Sequence, residues 1–357
     1  TNTADDAHNT ISLGIAPGDG TLHVSFDHHT TSQGSSNLHY RVSVAGLVTK
    51  PTEVEWSAKS FGAVKSELVS NKTVTSITYP RFVTEAGGQK MLFSARIGES
   101  GSGDEYLWEY DASAHAWTEL GRYIDGTSNN INAYLHSLSY TRGGTRLHAS
   151  WCWRDTSNAS TNHDLLYVYS DDHGRTWKNN AGTQIGASGT TAINRGSSGL
   201  NVWPIKVNRG LINQEHMAID SAGRVHVLLG HMPDNQADDS NFDSARTKSQ
   251  YFHYWRDSTG KWTRTSIAGL AVIKNFRGKL AIASSDNVYA VLPGMRIAGA
   301  SASSNFATWT LLTTDSSRTY FSDPLIDSSR LETENKLTVY YPQASSKDIW
   351  GLEYTIQ

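Results

Sequence analysis

Apolar and polar residues alternate along most of this chain, in short runs separated by turns rich in Gly, Asp and Asn. Successive side chains of a strand point to opposite faces, so each run predicts a strand with one buried face. Helical periodicity is almost absent. The pattern therefore predicts an all-β protein.

The predicted strands form a repeat that occurs six times: a hairpin with a tight turn, then a third strand rich in aromatic residues. Repeated four-stranded units are typical of a β-propeller, and a β-sandwich or β-helix is the alternative. We predict second strands at residues 22–26, 91–95, 147–151, 225–229, 280–283 and 337–341, third strands at 38–44, 106–110, 165–169, 251–255, 309–313 and 349–355, and a turn at 328–335.

Residues 170–177 match an Asp-box, Ser-x-Asp-x-Gly-x-Thr-Trp. Its Asp172 is expected to cap a tight turn through the carboxylate, and Trp177 to wedge between neighbouring sheets. Weaker versions occur at residues 111–117, 257–262 and 315–320. An Asp-box is a structural signature of propeller blades, so it supports the fold and not a particular activity.

The chain is expected to form one propeller domain over residues 1–357. The longest segments outside the repeat, 178–207 and 233–249, are rich in Gly, Ser, Asn and Asp, as loops within blades would be. Either there are six blades, or part of a seventh lies upstream of Thr1 or in the insertions at 121–132 and 182–208.

The amino-acid composition restricts the kinds of binding partner that are expected. The net charge of −3 gives no reason to expect nucleic acid or an anionic membrane, and no apolar run approaches a membrane span. A single cysteine, Cys152, excludes a disulfide within the chain and a cysteine-based zinc site. Sequons at Asn71 and Asn158 favour a secreted, extracellular glycoprotein, which we expect to be a monomer.

Candidate chemistry lies at the ends of the first two hairpins. His8 precedes the first strand, while His28 and His29 close the second. In the next unit Tyr79 opens the hairpin and Arg96 ends its second strand. A hairpin returns to the edge where it began, so these side chains are expected around one opening. Regular alternation favours His29, and a bulge at the strand end would favour His28.

Each of these residues also has a structural explanation. His8 could be a turn residue, Tyr79 an aromatic edge contact, and Arg96 the partner of Glu99 or Asp104 in a surface ion pair. Because these residues recur at equivalent positions of adjacent units, a functional role is as well supported as a structural one.

Several motifs resemble a propeller family of polysaccharide lyases, which includes the ulvan lyases and the fungal L-rhamnose-α-1,4-D-glucuronate lyase acting on gum arabic. They are Asp6-Ala7-His8-Asn9-Thr10, the segment from Leu22 to His29, Tyr79-Pro80-Arg81-Phe82, the segment from Arg96 to Asp104, and Leu211-Ile212-Asn213-Gln214 before Met217-Ala218-Ile219-Asp220. The resemblance implies seven blades and a histidine that acts as base and acid. By motif position the roles fall on His8, on His29 (or His28), on Tyr79 and on Arg96. Some ulvan lyases carry a Cys/His zinc site, which the single Cys152 cannot reproduce.

These residue types suit β-elimination at a 4-linked uronate. Removing the C5 proton builds an enolate-like dianion, so the adjacent carboxylate must first be neutralised. Arg96 can clamp that carboxylate, with His29 and Tyr79 as hydrogen-bonding helpers. Neutral imidazole has a pKa near the working pH, which suits His8 as base and acid. Tyr79 as the acid or base is the second-ranked variant.

Other polar and aromatic side chains at hairpin ends are candidates for sugar contacts. They are Asn9, His28, Arg81, His136, Trp153, Arg154, His163, Asn213, Gln214 and Arg277. The expected partner is an acidic polysaccharide. No cofactor is expected for catalysis. Whether a structural calcium ion binds stays open, and no Asp-rich loop with recognisable ligand spacing demonstrates one.

The expected function is therefore a metal-independent lyase for a rhamnose–glucuronate linkage, with gum arabic-type chains ranked before ulvan. A sialidase-like glycoside hydrolase is less favoured, because the hairpin ends offer few carboxylate pairs. A non-catalytic carbohydrate-binding propeller should repeat its site in every blade, and His8, Tyr79 and Arg96 have no counterparts in the fifth and sixth units.

Overall fold

Strands that are nearly all antiparallel make up most of the regular structure in the described residues, as the alternating pattern predicts. The structure is a computed structural model that describes residues 10–26, 37–85, 90–315, 322–343 and 348–356. Contacts between residues group the chain into two units. The first comprises residues 1–133, 143–147 and 169–198, and the second comprises 134–142, 148–168 and 199–357.

The first unit begins with a three-stranded antiparallel sheet, followed by four antiparallel strands that belong to a ten-stranded sheet. The Asp19 carboxylate holds the first hairpin turn by accepting a hydrogen bond from the Thr21 amide at 3.0 Å. Gly20 takes φ 68°, which favours glycine. The strands are β1 (Ser12–Ala16), β2 (Thr21–Ser25), β3 (Tyr40–Val42), β4 (Ile77–Thr84), β5 (Lys90–Glu99), β6 (Ser102–Asp111) and β7 (Ala116–Ile124).

The carboxylate-capped turn that the Asp-box predicts is confirmed within the first unit. Asp172 accepts hydrogen bonds from the Thr176 amide at 2.8 Å and the Thr176 hydroxyl at 2.6 Å. Trp177 is fully buried and stacks on Tyr123 of β7, with ring centres 5.0 Å apart. The next strands are β8 (Asn132–Tyr140), β9 (Leu147–Arg154), β10 (Asn162–Ser170), β11 (Thr176–Lys178), β12 (Gln184–Ala187) and β13 (Asn201–Trp203).

Two second strands carry a buried histidine that bridges a threonine and a tyrosine. In each case one imidazole nitrogen meets the threonine hydroxyl at 2.8 Å, and the other meets the tyrosine hydroxyl at 2.6 or 2.7 Å. A satisfied buried histidine of this kind is a packing element. The bridges are Thr21–His23–Tyr40 and Thr141–His148–Tyr167.

The second unit contains two four-stranded sheets, and the fifth repeat corrects the prediction. Residues 280–283 were expected as a second strand, but β18 is the first strand of its sheet. The turn that joins it to the second strand is centred on Asp286, whose φ is 62°, and not on Gly278. Likewise 309–313 falls on the outermost strand. The strands are β14 (His216–Ile219), β15 (Val225–His231), β16 (Gln250–Arg256), β17 (Trp262–Ala271), β18 (Lys279–Ile282), β19 (Val288–Leu292), β20 (Arg296–Ala300) and β21 (Thr310–Thr314).

A three-stranded sheet ends the chain, and two short helices interrupt predicted loops and turns. The turn expected at 328–335 is mostly a helix, because Asp327 caps the Arg330 amide at 3.2 Å and Leu331 is buried. Within the part that the structure describes, no helix is long and apolar enough to cross a membrane. The elements are α1 (Phe242–Thr247), β22 (Leu325–Asp327), α2 (Ser328–Glu334), β23 (Lys336–Pro342) and β24 (Ile349–Thr355), and the 3-10 turns are Ala58–Ser60, Thr127–Asn129, Ala159–Thr161 and Ala302–Ser304.

Candidate active site

A β-bulge shapes the start of β4. Thr78 pairs with Arg96 and Arg81 pairs with Ser94, so two residues of β4 lie opposite one residue of β5. Tyr79 takes φ 56°, a left-handed conformation that is uncommon for an aromatic residue. A bulge re-aims side chains locally. Here it leaves Thr78 and Arg81 facing the same side as the residues they pair with.

The bulge brings Tyr79 and Arg96 together. The Arg96 guanidinium carbon lies 4.9 Å from the centre of the Tyr79 ring. Its Nε and Nη2 donate to the Thr78 hydroxyl at 3.1 and 2.6 Å. Arg96 is only 3% exposed, so the alternative of a surface ion pair does not describe it. A guanidinium held in this way has the chemistry to bind a carboxylate.

A buried carboxyl that the sequence argument missed faces the same site. Glu105 of β6 pairs with Arg96 across the sheet and is 3% exposed. Burial raises the pKa of Glu105 to about 8, although Arg81, Arg96 and the Ser94 hydroxyl lower it. Continuing the register of the predicted second and third strands would have placed this carboxyl opposite Arg96. A charged residue at a strand end gives no signal of burial in the sequence pattern, so Glu105 was not named as a candidate.

In the second unit, Asn213 and Arg277 form a separate cluster. Arg277 Nε donates to the Asn213 carbonyl at 2.7 Å, and its Nη1 lies 3.3 Å from Asp323. The Asn213 side-chain amide donates to Gln214 Oε1 at 3.4 Å. Arg277 therefore holds the segment before β14 in place and is already engaged by a carboxylate. Asn213 and Gln214 remain candidates for substrate contact.

Two buried side chains of opposite charge lie beside that segment. Glu215 and Arg246 are each 1% exposed. The Gly230 amide donates to Glu215, and Arg246 Nη1 donates to the carbonyls of Gly210 and Gly230 at 3.0 and 2.8 Å. Burial raises the pKa of Glu215 to about 7, against the lowering effect of Arg246. The sequence pattern gave no signal for these two residues. Arg246 connects Gly210, in the segment before Asn213, to Gly230 on β15.

Trp153 and Arg154 were predicted to contact sugar. Trp153 is 2% exposed and packs edge-to-face on Trp151, with centres 5.7 Å apart. Its rings belong to the core, which speaks against sugar stacking. Arg154 is half-buried, with its guanidinium carbon 5.3 Å from the Tyr134 ring, and stays a candidate. His136 is buried.

His163 lies between two carboxylates. Its Nδ1 is 2.8 Å from Asp164 and its Nε2 is 3.2 Å from Asp155. Burial lowers the pKa of His163, but hydrogen bonds and charge from Asp164 and Asp155 outweigh it, and the pKa is raised. This triad fixes the loop between β9 and β10, so a sugar contact would require His163 to leave one carboxylate.

The chain can now be placed among known proteins. The model of the BNR repeat-containing family matches residues 1–269. This chain belongs to that family. It is 26% identical over 208 residues to the long-isoform ulvan lyase of Alteromonas sp. (strain LOR), which is 50% of this chain and 21% of that protein. The chain thus spans about a fifth of that relative's length.

Solved structures share its fold. The polysaccharide lyase Uly1 superposes with a TM-score of 0.67 at 19% identity, covering 97% of this chain and 77% of that chain. A PL25 ulvan lyase bound to -[GlcA(1-4)Rha3S]- gives 0.64 at 12% identity, covering 98% and 79%. Together with the successive antiparallel sheets, these neighbours confirm the predicted β-propeller fold class.

Four predicted site residues, His8, Asn9, His28 and His29, lie outside the described residues. Their roles stay predictions.

The described ranges contain no group of three or more His, Cys, Asp or Glu side chains arranged to hold a metal. Cys152 is buried, and burial raises the pKa of its thiol to about 12, which makes it an unreactive packing residue. Metal-independent catalysis stays a prediction, and whether a structural calcium ion is bound stays open.

Proposed function

We propose that this chain is a polysaccharide lyase that cleaves the bond at C4 of a uronate by β-elimination. The observation that carries the proposal is the Tyr79–Arg96 pair, with the guanidinium held by Thr78 at the bulged start of β4. Arg96 and Arg81 share one face of the sheet, which suits a carboxylate ligand. The ulvan lyase relatives support the same reaction class.

In the proposed mechanism, Arg96 neutralises the substrate carboxylate, which acidifies the C5 proton. His8 takes that proton and returns it to the departing C4 oxygen, if both lie on one face of the sugar. His29 (or His28) and the Tyr79 hydroxyl donate hydrogen bonds that strengthen as negative charge develops. In the second-ranked variant, Tyr79 acts as the acid or base.

The substrate class follows from the carboxylate clamp and the relatives. We propose a rhamnose–glucuronate linkage. Gum arabic-type chains, cleaved by an L-rhamnose-α-1,4-D-glucuronate lyase, are supported by the motif resemblance. Ulvan is the second candidate, and the names of the relatives favour it.

One assay separates these candidates. The purified protein is incubated with gum arabic, with ulvan and with a neutral arabinan, while ultraviolet absorbance and free rhamnose are followed. A lyase for gum arabic gives an absorbing unsaturated uronate and free rhamnose from that polymer, and an ulvan lyase gives the absorbance from ulvan. Rhamnose release without absorbance would indicate a hydrolase. Folded protein that is silent on all three polymers would overturn the lyase proposal.

We also propose that the protein is secreted and glycosylated. Asn71 and Asn158 are both exposed, which leaves room for a glycan. Protein from a eukaryotic source should lose mass on treatment with an N-glycosidase. An unchanged mass would remove the sequons as support for secretion.

A further inference from the structure

We propose that Glu105 is a positioning residue of the candidate site, a buried carboxyl that shares one sheet face with Arg81 and Arg96 and whose ionisation withdraws them from a substrate carboxylate. The proposal rests on the proposed lyase function. It goes beyond that function by assigning control of the clamp's charge to a residue that does not touch the substrate.

Strand register establishes the shared face. Glu105 pairs with Arg96 across β5 and β6, and Arg81 pairs with Ser94 across β4 and β5. Directly opposed residues of an antiparallel sheet point to the same side, and residues two apart on a strand do so as well. The two arginines and the carboxyl therefore lie on one face of three adjacent strands. Arg96 and Glu105 are each 3% exposed, so water screens their interaction little.

Glu105 lies on the same sheet face as Arg81 and Arg96, whereas the acid next to it on the strand has other partners. On its own strand, Asp104 is engaged elsewhere, accepting from the amides of Gly126 and Thr127 at 2.9 Å and from Arg122 at 3.2 Å. From β7, the Tyr123 hydroxyl lies 3.0 Å from the Ser94 hydroxyl.

No described side chain forms an ion pair with Glu105, whereas Glu109 on the same strand pairs with Lys90 and Arg175. The carboxyl of Glu105 therefore sits near the arginines without being locked to them.

Charge balance gives the functional consequence. Burial raises the pKa of Glu105 to about 8 even though the arginines lower it, which favours the neutral carboxyl at pH 7. Arg81 and Arg96 then keep their positive charge for an incoming uronate. Above pH 8 the ionised Glu105 competes with the substrate carboxylate for the same two cations. Substrate affinity should therefore fall as pH rises through about 8.

The test compares wild-type protein with Glu105→Gln, which fixes a neutral side chain of the same shape. KM and kcat for the uronate polymer are measured from pH 6 to pH 9.5. Wild-type KM should rise about tenfold between pH 7 and pH 9 with kcat changed much less, the factor expected for one group of pKa near 8. In Glu105→Gln, KM should match wild type at pH 7 and stay flat. The same rise in both proteins would overturn the proposal.

Glu109→Gln is the matched control, because it removes a carboxylate from the same strand that is already paired. Its KM profile should follow wild type. If Glu105→Gln does not fold, the pH dependence of the wild-type KM still tests the proposal. A wild-type KM that is constant between pH 7 and pH 9 contradicts it.

If wild type cleaves no polymer, the lyase function fails separately. Calorimetric binding of D-glucuronate then tests Glu105. Weaker binding at pH 9 than at pH 7 in wild type, but not in Glu105→Gln, supports the proposal, and equal loss in both contradicts it.

Discussion

The Arg96 guanidinium carbon lies 4.9 Å from the centre of the Tyr79 ring, and a bulge with a positive φ at Tyr79 makes this contact. A left-handed aromatic residue costs conformational energy that the surrounding sheet must offset. The geometry places a phenol and a permanent cation at one end of the hairpin. The predictions for activity depend on this pair.

Tyr79→Phe separates the hydroxyl from the ring. The phenylalanine ring can still cover Arg96, so the free energy of unfolding should change little, while kcat should fall about 100-fold or more if the hydroxyl donates to the developing charge or transfers a proton. Steady-state kinetics and urea denaturation measure the two effects. Tyr340→Phe removes a hydroxyl at an exposed position and serves as control. Wild-type turnover by Tyr79→Phe would exclude the hydroxyl from the chemistry.

Arg96→Lys keeps the charge and removes the planar fork. Lysine cannot bind a carboxylate bidentately while also donating twice to Thr78, so kcat/KM should fall by about 10²–10³. Arg146→Lys, at a half-exposed surface pair with Asp171, is the matched control and should behave as wild type. An Arg96→Lys enzyme within a few-fold of wild type would remove the clamp from the mechanism.

His8→Ala tests the proposed base. Turnover should be lost while polymer binding stays largely intact, because the base acts on the C5 proton and not on the carboxylate. Binding is followed by affinity electrophoresis in gels that contain the polymer. Turnover near the wild-type rate would exclude His8 as base and acid.

Asp172→Ala tests the Asp-box. The carboxylate accepts hydrogen bonds from Ser170 and Thr176, so its loss should reduce the free energy of unfolding by about 1–3 kcal/mol. Asp257→Ala, in a more exposed turn that carries a weaker version of the motif, should cost less. Urea denaturation measures both variants. Equal stability of wild type and Asp172→Ala would show that the turn does not depend on its carboxylate.

His231 predicts a loss of stability in acid. It is buried against the Tyr254 hydroxyl at 2.6 Å, and burial lowers its pKa from the usual 6.5 to about 4. Between those values the unfolded chain binds a proton that the folded chain does not, so stability falls as pH falls. This group should cost about 2 kcal/mol between pH 7 and pH 5.

Denaturation at both pH values should show a smaller loss for His231→Gln than for wild type. The exposed His115→Gln is the control and should retain the wild-type loss. An undiminished loss in His231→Gln would contradict the assignment.

Much of the scaffold could be predicted from sequence because it depends on local signals. Alternation located most strands, and the Asp-box located the turn that precedes the buried Trp177. The return of a hairpin to its own edge was enough to bring Tyr79 near Arg96. The fifth repeat was misassigned because the turn at Asp286 lacks a glycine, while Gly278 lies before the first strand.

The buried charges could not be predicted in the same way. An alternating pattern assigns charged residues to the solvent-facing side of a strand, and this applies to Glu105, Glu215 and Arg246. Their burial depends on packing between segments distant in sequence, such as the carbonyls of Gly210 and Gly230 that hold Arg246. The bulge at Tyr79 is a register shift between two strands, and a single strand's pattern does not contain it.

The masses of the products test the central claim most directly. Elimination breaks the chain without adding water, so the two product masses must sum to the mass of the substrate oligosaccharide. A reaction in ¹⁸O-water must leave both products unlabelled at the cleaved bond when they are measured before the new anomeric hydroxyl exchanges its oxygen with water. We predict this result for a rhamnose–glucuronate oligosaccharide, together with an unsaturated uronate. Products that exceed the substrate mass by one water and carry ¹⁸O would show hydrolysis and contradict the account.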